Sequence, residues 1–478
     1  MPAHPIESQD RFTPRWFGHS WSTVVAATAA MIVATAFRQP ANAQNAPMNH
    51  WPAETAAKSA QRHAELSALV EQALTANPTI RAAENGRTAA RARIGPAGAW
   101  ADPVLGVGLT DLPISHPGFY DSFTQKTVRV TQTIPISGVP AARGRVEARE
   151  ATAADYRVQV ARLEVTQQVK DAYYDLAFVD KALTIARQNH DVLVELEKAA
   201  TAHYGAGTGT QQEALKAGIE AARLADEAVA LTEQRLAALA RLNALLDRPS
   251  ETPVESPTVP AAITRAAVPD SVGEVLFVSP ALGAAAANSP LPPLADLEDA
   301  AVSQSPMLQE HNEMISADAE RVQLARKERI PDIDFSLEYD QRNRFPDFVS
   351  AMVSLPIPIH SGRKQGQMVA EARWQLAADE AQHHATANDI RATVASQYAD
   401  VERARTQLAL YARAILPQAR ASLASSTAGY QGGRADFATM LLAQANVFEY
   451  ETDYYRALTD YAKGLAQLDR TVGKEVLP

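Results

Sequence analysis

Cysteine is absent from all 478 residues, which excludes disulfide scaffolds, thiol catalysis, cysteine-ligated zinc and iron–sulfur chemistry together. A basic excess is missing too. The 45 Lys and Arg stand against 55 Asp and Glu, leaving a net charge of −10, the wrong sign for a nucleic-acid binder. No HExxH, GxSxG or Walker sequence occurs, so neither an enzyme nor a resident cofactor is expected. No metal site is expected either. His383 and His384 are helix neighbours that point apart, and the 8 methionines form no stripe. Outside Trp21–Phe37, no uncharged apolar run approaches the ~20 residues of a spanning helix. Any meeting with a membrane is therefore through strands or by docking. What is plentiful is alanine, roughly a fifth of the chain. Alanine is the best helix former and fills little volume, so long, closely packed helices are expected.

Residues 1–43 read as a signal peptide. Arg11 and Arg15 precede the apolar stretch, and Ala41-Asn42-Ala43 marks cleavage before Gln44. Residues 44–65 are an N-terminal extension, and the chain beyond them is one unit written twice. Leu66, Leu69, Ala73, Pro78 and Ile80 match Leu294, Leu297, Ala301, Pro306 and Leu308 at a constant offset of 228. The match holds through Arg93/Arg321 and Pro103/Pro331. It resumes after a short slip at Ile134-Pro135-Ile136/Ile357-Pro358-Ile359 and Glu147-Ala148-Arg149/Glu371-Ala372-Arg373. Repeat 1 is 66–248 and repeat 2 is 294–478, joined by a Pro/Ala-rich segment, 249–293. Length alone would have suggested about three domains.

Each repeat changes period in the same order. After Pro103 and Pro331 the apolar period becomes 2, giving strands at about 103–112 and 125–136, then 331–341 and 347–359. Leu105, Val107, Leu109, Ile333, Phe335 and Leu337 form the apolar side, the candidate lipid-facing residues. Asp332, Asp334, Glu338, Asp340 and Arg129 lie on the polar side as lumen candidates. Repeated around a pore, the carboxylates would favour cations; the alternative is the ordinary water-facing side of any porin-like strand. No proline follows from Ala141 to Arg248, and Val165, Val169, Ala172, Leu176, Val179, Leu183, Ala186 and Leu193 keep coiled-coil spacing. The helices turn at tips about 204–210 and 430–436, and Pro417 should bend the second long helix. Tyr204, Gly205, Gly207, Tyr430, Gly433, Arg434 and Asp436 are the tip candidates, with both tyrosines expected to pack at helix ends. The glycine-rich tip is no phosphate loop, because Thr210 stands where the last glycine would be.

Four strands cannot close around a lumen, and a membrane requires every edge paired, so at least two chains must contribute. Strand count alone allows 8, 12 or 16.

The doubled helix–strand–strand–long helix–tip–helix order, Ile-Pro-Ile at the strand-to-helix junction and Tyr-x-x-Gly at both tips resemble the TolC family of outer membrane efflux factors, over about residues 66–473. The resemblance implies an α+β membrane protein. Three copies would make a 12-stranded β-barrel in outer membrane lipid, continuous with a 12-helix α-barrel in the periplasm. It also implies service as a passive duct, with a periplasmic adaptor and an inner-membrane RND-type pump as partners. Asp102-Pro103-Val-Leu-Gly-Val-Gly-Leu109 and Val130-Thr-Gln132-Thr-Ile-Pro135 look most like the heavy-metal branch, the cobalt–zinc–cadmium and copper exporters. A multidrug duct of the same family is the alternative cargo reading. Relatives with a lipidated cysteine differ from this chain, which has none. Thr439 and Leu442 stand where drug-exporting relatives carry pore-narrowing aspartates, leaving Asp436 with Arg434 as gate candidates. A periplasmic adaptor, the rival from another class, would have a single tip and no such strands.

Overall fold

Helix dominates wherever proline is missing. The computed structural model describes residues 56–115, 118, 121–255, 257–268 and 290–477. The expected signal peptide, most of the 44–65 extension and part of the 249–293 connection lie outside them. In chain order the elements are α1 (Ala56–Ala76), α2 (Pro78–Gly98), β1 (Val104–Thr110), β2 (Gln125–Ile134), α3 (Val139–Gly205), α4 (Gln211–Leu245) and α5 (Ala261–Ala267). There follow α6 (Leu294–Gln304), α7 (Pro306–Lys327), β3 (Ile333–Arg342), β4 (Phe348–Ser354), α8 (Gln365–Leu410), a π-helical turn Tyr411–Ile415, α9 (Leu416–Gln431) and α10 (Phe437–Val472). No described helix is long and apolar enough to cross a membrane.

Helices α2 and α7 start alike. Pro78 and Pro306 take the first helical position of α2 and α7, where a missing N–H leaves no bond unmade. The side chain before each caps the helix: Asn77 Oδ1 accepts from the Thr79 N–H at 2.8 Å, and Ser305 Oγ from the Leu308 N–H at 3.4 Å. Helix α3 runs 67 residues without interruption, about 100 Å at 1.5 Å per residue. Its coiled-coil series from Val165 to Leu193 is buried throughout.

Each repeat has its own core. Tyr173, Tyr174 and Leu176 of α3 pack with Leu66, Ile80, Leu242 and Leu246. In repeat 2 Val394, Val401 and Leu408 of α8 pack with Leu297, Leu308, Tyr461 and Leu468. The repeats are tied across α3 and α10 by Lys170–Asp469 at 3.1 Å and Lys463–Asp175 at 2.8 Å.

The strands form one antiparallel sheet in the order β1-β2-β3-β4. The central pairing joins the repeats, from Ile134↔Ile333 to Gln125↔Arg342. Strands β1 and β4 are its edges. Strand β4 ends at Ser354, short of the 359 read from the apolar alternation, because Pro356 and Pro358 have no N–H to donate to a ladder. At Pro417 the second long helix is interrupted. The proline sits in the first turn of α9, and the turn before it widens to π geometry, with the Leu416 N–H reaching the Tyr411 carbonyl.

Candidate functional site

Strand pairing sorts the side chains onto two faces. Thr127, Arg129, Thr131 and Thr133 of β2 stand opposite Asp340, Glu338, Ser336 and Asp334 of β3, one polar face shared by both repeats. The carboxylates there are mostly engaged. Arg129 pairs with Glu338. Thr133 Oγ1 donates to Asp334 at 2.6 Å, and Thr127 Oγ1 to Asp340 at 2.7 Å. Asp340 is only 2% exposed, so it presents little charge to solvent. Asp332 lies just before β3, half-buried. An unbroken row of free carboxylates is therefore not what the fold builds. The cross-strand partners on β2 neutralise or hydrogen-bond three of the four. On the opposite face Leu105, Val107, Leu109, Phe335 and Leu337 are bare, Val107 to 75%, while Ile333 is half-buried. An apolar sheet face of this kind needs a cover other than water.

The two tips fold alike. At the first, the His203 carbonyl accepts from Thr208 and Gly209, and the Gly207 N–H reaches the Tyr204 carbonyl. At the second, the Gly429 carbonyl accepts from Arg434 and Ala435, and the Gly433 N–H reaches the Tyr430 carbonyl. Gly207 and Gly433 carry the reversal, with φ of +72° and +67°. Gly205 does not. It is the last residue of α3, with open space where a Cβ would stand.

The tyrosines part company. Tyr430 packs edge-on against Phe437 at 5.5 Å and donates from Oη to Glu213 Oε2 at 3.2 Å, linking one tip to the other. Burial, then the adjacent Glu213 carboxylate, pushes its hydroxyl up to about 12, so it stays a donor. Tyr204 remains 51% exposed rather than packed, because the returning helix after it begins with Gln211 where the second tip has Phe437. Asp436 is committed as well. It caps α10, accepting from the Thr439 N–H at 2.8 Å and from its hydroxyl, and those bonds hold its carboxyl below the usual range. Arg434 is exposed beside it. The residue that joins the tips, Glu213, carried no local signal, since its partner is 217 positions away.

A third histidine lies beside His383 and His384. His311 of α7 lies 6.4 Å from His383 of α8, which lies 6.1 Å from His384. Burial first, then the two neighbouring rings, keeps His383 below its ordinary value. Even so, no group of three or more His, Asp or Glu among the described residues is placed to hold a metal ion. A cavity of about 600 Å³ between α1, α3, α5 and α10 is lined mainly by apolar side chains, and its Lys170 is paired with Asp469.

Against known proteins, the profile described as "Outer membrane efflux protein" matches residues 69–248 and 297–474, once per repeat. The cobalt-zinc-cadmium resistance protein CzcC of Cupriavidus metallidurans is 23% identical over 355 residues, covering 73% of this chain and 77% of that protein. Among solved structures, a membrane protein from Pseudomonas aeruginosa aligns with TM-score 0.70 at 18% identity, over 86% of this chain and 92% of that one. CusC, whose crystal structures concern conformational changes accompanying folding and transmembrane channel formation, aligns at 0.69 and 14%, over 86% and 92%. The outer membrane protein VceC of Vibrio cholerae aligns at 0.67 and 16%, over 88% and 100%.

Proposed function

We propose, because this chain belongs to the outer membrane efflux protein family, that three copies close a 12-stranded barrel above a 12-helix periplasmic barrel and pass heavy-metal cations out of the cell. Members of the family are outer membrane channels rather than enzymes, and the helical part of this protein lies in the periplasm. The duct reading is supported by the two free edges, β1 and β4, of a sheet that is apolar on one face and polar on the other. Unpaired strand edges cost several kcal/mol per group in hydrocarbon, so the edges of neighbouring copies must pair. The apolar face then meets lipid and the polar face lines the lumen. The linked tips form the periplasmic end, where Tyr430 and Glu213 hold the helices and where an adaptor joins the duct to an RND-type pump.

The cargo rests on one observation, the likeness to CzcC over 73% of the chain. A strain deleted for this gene should lose several-fold in tolerance to cobalt, zinc or cadmium and regain it from a plasmid copy. Unchanged metal tolerance with lost tolerance to organic drugs would replace this cargo with the multidrug one.

A further inference from the structure

Inside one protomer α3 and α7 meet along a ladder of charge. Arg143–Glu328 stands at 3.0 Å, Arg145–Glu320 at 2.9 Å, Arg149–Glu313 at 3.2 Å and Arg157–Glu310 at 2.6 Å, with Arg321 gripping Glu150. The two helices come from different repeats, so each has a counterpart. Glu371-Ala372-Arg373 places α8 in the role of α3, and Arg93 places α2 in the role of α7. The four helices pack in the succession α2, α3, α7, α8, and α2 and α8 share no extensive interface among the described residues. The row thus ends in two open faces whose counterparts are packed on each other in its middle.

Carrying the ladder across by the repeat offsets, 224 and 228, gives the composition of those faces. Arg143, Arg145, Arg149, Glu150 and Arg157 become Gln367, Val369, Arg373, Trp374 and Ala381 on α8. Arg321, Glu320, Glu313 and Glu310 become Arg93, Ala92, Asn85 and Ala82 on α2, and Glu328 becomes Trp100, just beyond its end. Most of the charge has gone and two tryptophans have appeared. All of these residues except Val369 are exposed, Trp374 to 76% and Trp100 to 59%. An indole is a large apolar body that gains by being covered, and Gln367, Trp374 and Ala381 recur every seventh residue on one helix face.

We infer that α8 of one copy packs on α2 of a second copy as α3 packs on α7 within a copy, with Trp374 lying against Arg93 of that second copy. Trp374 stands where Glu150 grips Arg321. Arg93 already directs its N–H groups at Glu147, 3.1 Å away, and Glu150, 3.7 Å away, while its side chain stays 55% exposed. Its guanidinium plane is thereby held open for an indole to stack on it. The seam inside a copy is ionic and the seam between copies is aromatic. That difference discourages a loose α8 from docking on the charged α3 or α7 of a neighbour. This inference rests on the oligomeric reading above and adds the residues that make its seam.

The missing cysteines allow a clean test. In the full chain, Ala82→Cys with Ala381→Cys, the counterparts of Glu310 and Arg157, supplies the only two thiols. A short bis-maleimide applied to outer membranes should give covalent dimers and trimers that survive boiling in SDS, and either single variant should give monomers. Trp374→Ala should lower the temperature at which unboiled trimers fall apart by about 5 °C or more. Monomers alone from the double variant, with trimers still present in unboiled samples, would overturn the seam. Absence of trimers from the native chain would overturn the oligomeric reading itself.

Discussion

Asp318 occupies the place that Ala90 holds in the first repeat, and Gln375 and Asp379 stand for Ala151 and Asp155. The fold accepts alanine there, yet repeat 2 buries a carboxyl to 1% exposure within hydrogen-bonding reach of Asp379. Burial, then Asp379, pushes Asp318 up against the pull of Arg321, while the same contact pushes Asp379 down, so the pair holds one proton into the weakly acid range. Asp171 on α3 is raised to about 6 by burial. A raised carboxyl means that the folded chain holds a proton the unfolded chain has lost. Its stabilisation is complete below the ordinary carboxylate value and disappears as pH rises through the folded one. For Asp171 that window runs from 3.8 to about 6 and amounts to roughly 3 kcal/mol. Asp318→Asn keeps a donor to Asp379 without needing the proton. Thermal melting of the purified protein should therefore fall less between about pH 4 and about pH 6 in this variant than in the native chain; equal falls would contradict the shared proton. At the tip, Tyr430→Phe removes the bond to Glu213, worth about 1–2 kcal/mol, and should raise conductance in planar bilayers. Unchanged conductance would remove this bond from the gate. Tyr430 was legible from Tyr-x-x-Gly, whereas Glu213 was not, because a contact between two tips leaves no trace in local spacing.

Among the elements, helices were read more securely than ends. A proline-free, alanine-rich stretch has one good conformation, and α3 follows it for 67 residues. Where a strand stops or a helix changes pitch depends on single missing N–H groups, which is why β4 ends at Ser354 and why a π turn precedes Pro417. Polar and apolar strand faces were also readable, since the period of 2 fixes them. The pairing of Arg129 with Glu338 was not, because register across repeats is set by the sheet rather than by either strand. The tips give a test at this scale. Gly207→Ala or Gly433→Ala, both at positive φ, should cost about 1 kcal/mol and speed amide exchange at Thr208 or Arg434. Gly205→Ala, at a helical position with open space, should cost nothing measurable.

The whole molecule is an incomplete object when alone. Two repeats supply four strands with two free edges, a row of four helices with two open faces, and an apolar sheet face without cover. The internal match is legible in the sequence because both segments carry Pro78/Pro306, Pro103/Pro331 and Tyr-x-x-Gly at corresponding places. The number of copies is not, since strand count fixes only a minimum. The proposed assembly would pair β4 of each copy with β1 of the next and α8 with α2 around a closed ring, and leave the apolar sheet face to lipid. Imaging the detergent-extracted outer membrane particle by electron cryomicroscopy tests this most directly. Three copies around one axis, with a continuous 12-stranded barrel over 12 helices, is the predicted result. A ring of another number, or a monomer whose sheet stays open, would contradict it.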